Sequence, residues 1–130
     1  MELKQKLGWA GVIPFAVLPF AFLVGLEMAM QAFVSYSAVI FSFLCGALWG
    51  QCVGKEEVSR RLLMSNLLAL LAWLCLLLNA PAVSLWLLML GYFTLLMLET
   101  GLEQDACYRR LRVQLSTCVI VFHLLMLSIR

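Results

Sequence analysis

The sequence predicts an all-α polytopic membrane protein, five transmembrane helices in one domain, with the N-terminus inside and the C-terminus outside. Three observations carry this expectation. First, 65% of the 130 residues are hydrophobic and 12% are charged, and the mean hydropathy is +1.02; soluble domains are about half apolar and about a quarter charged. Second, the charges divide the chain into four uncharged runs, Leu7–Leu26, Met28–Gly54, Leu62–Leu98 and Val113–Ile129. Three have the length of one span of about 20 residues, and the third is close to two. Third, five spans place Lys4, Lys6, Lys55, Arg60, Arg61, Arg109, Arg110 and Arg112 on one side, and only Arg130, the last of the nine basic residues, on the other. Basic residues favour the inner side of a membrane.

The first helix is expected at 8–27. Lys4 and Lys6 before an apolar run resemble a signal peptide, but the run is long for one and no A-x-A-like cleavage site follows, so an uncleaved helix is expected. Pro14 and Pro19 each remove an amide hydrogen and free a carbonyl four residues back, at Ala10 and Phe15. In lipid such carbonyls need partners from neighbouring helices or water. An ordinary kink and a bent helix lining a cavity are both open.

The second helix is expected at 32–53. Ala38, Ser42, Gly46, Gly50 and Gly54 recur every four residues in it. Small residues at this spacing let another backbone approach closely, and packing drives association where hydrophobicity cannot. Helix packing within the bundle is the first expectation. Homodimerisation, docking on a partner protein, and a lipid or quinone ring lying against the glycines are the alternatives.

The third and fourth helices are expected at 61–79 and 82–99, divided by the turn signal Asn79–Pro81. The fifth is expected at 106–129, with Asp105 suited to its N-cap. Trp9 and Trp49 fall near the inner interface, and Trp73, Trp86 and Tyr36 near the outer one, the positions of an aromatic belt.

Chemistry-bearing residues are sparse. The five cysteines, Cys45, Cys52, Cys75, Cys107 and Cys118, form no C-x-x-C and no metal-ligand spacing. No metal or other cofactor is implied. His123 and Ser116 share a face of the last helix and make a candidate buried polar site. A neutral imidazole bonded to a hydroxyl or carbonyl is the simplest state for a histidine with no ionisable residue well inside a span beside it. A pairing of Glu99 with Arg112 would link two helices, and one of Asp105 with Arg109 would lie along a single helix. The small net charge of +2 gives no reason to expect nucleic acid.

Three stretches carry a family resemblance: LGWAGVIPF (Leu7–Phe15), YSAVIFSFLCGALWG (Tyr36–Gly50) and CYRRLRVQLSTCVIV (Cys107–Val121). Together they resemble the uncharacterised membrane family DUF3429, which includes bacterial proteins and the eukaryotic transmembrane protein 69 group. The matching positions are Gly11, Ile13, Pro14 and Phe15; Tyr36, Ile40, Ser42, Phe43, Gly46, Trp49 and Gly50; and Tyr108, Leu111 and Arg112. Glu99 stands where the family often has Asp, and the proline that relatives carry near Asn66 or Leu67 is missing. The resemblance implies a multi-span membrane protein and no established activity.

Combining the threading with the resemblance gives a candidate inner-face site of Gly11, Pro14, Trp49, Glu99, Tyr108 and Arg112, in which Gly46 and Gly50 would also share. The function expected is that of a non-catalytic accessory, assembly or scaffolding component of a membrane complex, which would bind a membrane-protein partner or a second copy in the bilayer. The alternative is a small carrier or binding protein for a lipid, quinone or other amphipathic molecule at the inner leaflet. An enzyme using Glu99, Tyr108, Arg112 or His123 is the weakest reading, because no nucleophile–base or metal constellation is visible. The expected location is the bacterial inner membrane.

Overall fold

The computed structural model describes residues 3–52, 59–78, 80–99 and 106–129. They form five α-helices: α1 (Leu3–Leu23), α2 (Met28–Cys52), α3 (Ser59–Leu77), α4 (Pro81–Glu99) and α5 (Ala106–Ile129). All five are long and apolar enough to cross a membrane, and the protein is a multi-pass membrane protein. The helices follow one another around the bundle in chain order, α5 closing against α1, with α2 also touching α4 across the middle.

Each helix turns most of its apolar surface outward. Phe20, Phe43, Trp73, Trp86 and Leu90 are all more than half exposed. In water this would be costly, but lipid tails are as apolar as these side chains. The interior holds Phe15, Phe33, Phe41, Leu48, Leu85, Leu88, Tyr92, Leu95 and Met126, each buried.

Helix ends depart from the expected boundaries where local chemistry intervenes. α1 stops at Leu23 rather than near residue 27. Gly25 has φ +99°, Leu26 N–H donates to the Ala21 carbonyl and Gly25 N–H to that of Phe22. This pair of bonds is a Schellman cap, which needs a left-handed residue and so favours glycine. α4 begins at Pro81, whose missing amide hydrogen costs nothing in the first turn. Ser84 Oγ then ties α4 back to α3 through the Cys75 carbonyl, 3.1 Å. Asp105 and Gly54 lie outside the described residues, as does the Asp105–Arg109 pairing.

The two prolines do not interrupt α1, which is one helix across both. Tyr36 Oη of α2 donates to the Gly11 carbonyl at 2.7 Å, next to the Ala10 carbonyl that Pro14 frees. This also corrects the position of Tyr36. It sits about two turns into α2, half-buried and committed to α1, not in an aromatic band at the end of the bundle.

Gly91 leaves the least room for a side chain among the described glycines. A Cβ there would meet Phe41 Cζ at 2.7 Å and Cε2 at 3.0 Å. The Phe41 ring is fully buried and stands edge-on to Tyr92 with centroids 5.1 Å apart, so it has little room to yield. Gly91→Leu is expected to destabilise the bundle by about 3 kcal/mol, the upper end of the usual overpacking cost. Reversible unfolding in mixed micelles measures this; an unchanged midpoint would show that the crossing relaxes freely.

Candidate functional site

One face of α5 carries the polar chemistry of the interior. Arg112, Ser116 and His123 are separated by four and seven residues, spacings that return to the same side of a helix. All three are buried. From Arg112 to His123 this column runs about 16 Å at about 1.5 Å per residue.

At one end Arg112 meets Glu99, the last residue of α4. Arg112 Nε lies 3.1 Å from Glu99 Oε2 and 3.4 Å from Oε1, and Nη2 lies 3.1 Å from Oε2. Both side chains are nearly inaccessible, at 7% and 3% exposure, so each charge depends on the other for compensation. Beside them, Arg61 Nε donates to the Leu98 carbonyl at 2.8 Å. A cation on the last carbonyls of a helix completes bonds the helix cannot make for itself. α3, α4 and α5 are thus fastened at their basic end.

At the other end of the column His123 is enclosed by the rings of Phe15, Phe33 and Tyr92, with centroids 4.9–5.7 Å away. Its Nδ1 lies 2.7 Å from the Val119 carbonyl, and a carbonyl can only accept, so Nδ1 carries a proton. Nε2 lies 2.6 Å from Ser37 Oγ and in the neutral ring accepts from that hydroxyl. Tyr92 Oη donates to the Ser37 carbonyl at 2.8 Å. This assignment satisfies the donors of Ser37, Tyr92 and His123.

The Ser37–His123 contact has the spacing of a nucleophile and its base, a juxtaposition absent from the linear reading. Both residues are 0% exposed, and neither lines the cavity described next. Ser37 and Tyr92 were not among the residues singled out from sequence. A phenol in the middle of an apolar run is a signal, because in lipid its hydroxyl must find a protein partner.

Between the two ends of the column lies a cavity of about 160 Å³, walled by α1, α2, α4 and α5. Gly11, Val12 and Phe15 form its α1 side, Ile40 and Leu44 its α2 side, and Arg112, Ser116 and Val119 its α5 side. Leu7 and Phe43 also line it and are 63% and 72% exposed, which opens the cavity towards lipid between α1 and α2. Ser116 Oγ, fully buried, has no hydrogen-bond partner among the described residues. A second, more polar crevice of about 240 Å³ lies between the starts of α1 and α5, against Trp9, Arg110 and Gln114.

The candidate inner-face residues separate into two groups. Gly11 and Arg112 face the cavity, and Glu99 holds Arg112 in place. Trp49 is 43% exposed on the outer surface of α2, while Tyr108 and Pro14 are half-buried and do not line the cavity.

The small-residue stripe does not pack within the chain along its length. Ala38 is buried and Ser42 half-buried, but Gly46 and Gly50 are exposed, and a Cβ at either would meet nothing within 4 Å. The reason is geometric. Four residues turn an α-helix by about 400°, so a four-residue repeat precesses by about 40° per step. From Ala38 to Gly50 it moves about 120°, from the core to the lipid face.

Among the described residues no group of three His, Cys, Asp or Glu is placed to hold a metal ion. Residues 3–128, nearly the whole chain, match the family described as Protein of unknown function (DUF3429), and the chain belongs to it. No curated protein and no solved structure matches.

Proposed function

We propose that this DUF3429 member is a small binding or carrier protein for an amphipathic molecule, lipid or quinone, taken from the inner leaflet of a bacterial inner membrane. The observation that supports the reading is the cavity between α1, α2 and α5, open to lipid beside Leu7 and Phe43. Its volume of about 160 Å³ matches that of apolar protein cavities that accept a benzene-sized ring. The N-terminus and the basic connections lie inside in this reading, because eight of the nine Lys and Arg residues share that side of a five-span chain. The cavity mouth then faces the inner half of the bilayer.

Native mass spectrometry from mild detergent tests this. The chain is expected to carry one co-purified small molecule, and Gly11→Leu to release it. A Cβ at Gly11 makes only an ordinary 3.9 Å contact with Tyr36 Oη, so helical circular dichroism of Gly11→Leu is measured alongside, to separate filling of the cavity from a disturbed helix. A bare chain in every gentle detergent would sink the proposal.

A second reading, an accessory or scaffolding role in a membrane complex, is favoured by the open face at Gly46 and Gly50. That face lets a helix of a partner or of a second copy approach closely. It predicts that Gly46→Leu abolishes association in the same spectra while leaving any bound small molecule in place.

A further inference from the structure

The crevice between the starts of α1 and α5 differs in chemistry from the cavity, and no described residue lines both. Its volume is about 240 Å³, and polar atoms take a large share of its wall. Four of the residues lining it, Gln5, Trp9, Arg110 and Gln114, carry side-chain N–H donors. No Asp or Glu stands among its described lining residues, so the one formal charge there is the Arg110 guanidinium. Arg110 is exposed and has no carboxylate partner among the described residues, whereas the charge of Arg112 is already met by Glu99. A cation and amide donors with no acid set against them complement an anion. A guanidinium matches a phosphate in particular, through two parallel N–H···O bonds.

Position selects the source of that anion. Gln5 and Ala106 are the first residues of two membrane-crossing segments, Gln5–Leu23 and Ala106–Ile129. The crevice they line therefore opens where both helices enter the bilayer, the level of lipid head groups. A half-buried tryptophan, Trp9, suits that level. Further along the same sides the helices turn apolar. Ile13, four residues on from Trp9, is 58% exposed, and Val121, seven on from Gln114, is 53% exposed. Acyl chains can lie along these residues, and basic pockets between membrane helices are a recurrent seat for anionic head groups.

We propose that this crevice binds an anionic phospholipid, whose phosphate is held by Arg110 and Gln114 and whose acyl chains run past Ile13 and Val121. The site is separate from the cavity and does not depend on the carrier reading.

The test uses the full chain, delipidated in mild detergent and offered equal amounts of phosphatidylglycerol and phosphatidylcholine with the same acyl chains. Native mass spectrometry is expected to show one phosphatidylglycerol taken up with about fivefold preference, the value of one basic residue near the surface. Arg110→Gln should bring the preference to parity. Arg60→Gln, which removes an equal charge from α3, should keep it, and so should Gly11→Leu, which alters only the cavity. Gln114→Leu should weaken uptake of both lipids about fivefold, the loss of one hydrogen bond. Inorganic phosphate in large excess should not displace the lipid, because it brings no chains. Equal uptake of the two lipids by the parent would overturn the proposal, as would an unchanged preference in Arg110→Gln or an equal loss in Arg60→Gln. If Arg110→Gln loses its helical circular dichroism, undiminished uptake by Gln114→Leu overturns it instead. Displacement by phosphate would make the anion a soluble one, and loss of the preference in Gly11→Leu would move the lipid to the cavity; either result also overturns the site.

Discussion

Arg112→Ala is expected to destabilise the bundle by about 3–5 kcal/mol, the cost of leaving one member of a buried ion pair uncompensated. Glu99 is 3% exposed and receives both Nε and Nη2 of Arg112, so the stranded carboxylate would have no solvent to turn to. Glu99→Ala should cost a similar amount by stranding the guanidinium. The informative variant is the double one. Once both charges are gone, nothing is left unpaired, and Glu99→Leu combined with Arg112→Met should be far less destabilised than either alanine variant, even neutral. A double-mutant cycle by reversible unfolding in mixed micelles reads this directly. Additive costs would show that the two side chains act independently, contrary to their 3.1 Å contact.

The second large effect is expected at His123. Its imidazole is fully buried and is held by Ser37 Oγ at 2.6 Å and the Val119 carbonyl at 2.7 Å. His123→Ala removes a ring that packs against Phe15, Phe33 and Tyr92, and it also takes the acceptor from the Ser37 hydroxyl. Truncating a large buried ring costs about 3–5 kcal/mol through lost packing and the void it leaves. His123→Phe fills the space without restoring the acceptor, so it should recover part of the loss, with the residue of about 1–3 kcal/mol assignable to the stranded hydroxyl. Full recovery in His123→Phe would make packing the whole of the residue's contribution.

The architecture is legible in the sequence because charge does the cutting. Each uncharged run is bounded by charged residues or by the Pro81 turn, and in a bilayer those boundaries leave the backbone few alternatives to a helix. The Glu99–Arg112 pair is legible for a related reason: two opposite charges stand where the fourth and fifth spans meet one membrane surface. Other features depend on angles that a linear reading blurs. The glycine repeat looks like one face over a turn or two, yet its slow rotation takes Gly46 and Gly50 away from Ala38. The early end of α1 comes from Gly25 adopting a left-handed conformation, and an uncharged run gives no hint of it. Ser37 looks like an ordinary member of an apolar run, and the Tyr92 phenol signals only that a partner is needed, until three helices bring both to His123. The cavity is the least legible feature, since it arises from an imperfect fit between side chains of several helices and no single motif encodes it.

The bond from Tyr36 to the Gly11 carbonyl has a kinetic consequence. α1 commits only Phe15 and Pro19, among its described residues, to the buried interior, so the phenol at mid-depth is a principal latch on an otherwise lipid-bathed helix. On the proposed carrier reading, a molecule leaving the cavity passes between α1 and α2 on the side of Leu7 and Phe43, and the latch limits how far the two helices part. Residence time, more than affinity, is the quantity that Tyr36→Phe would shorten.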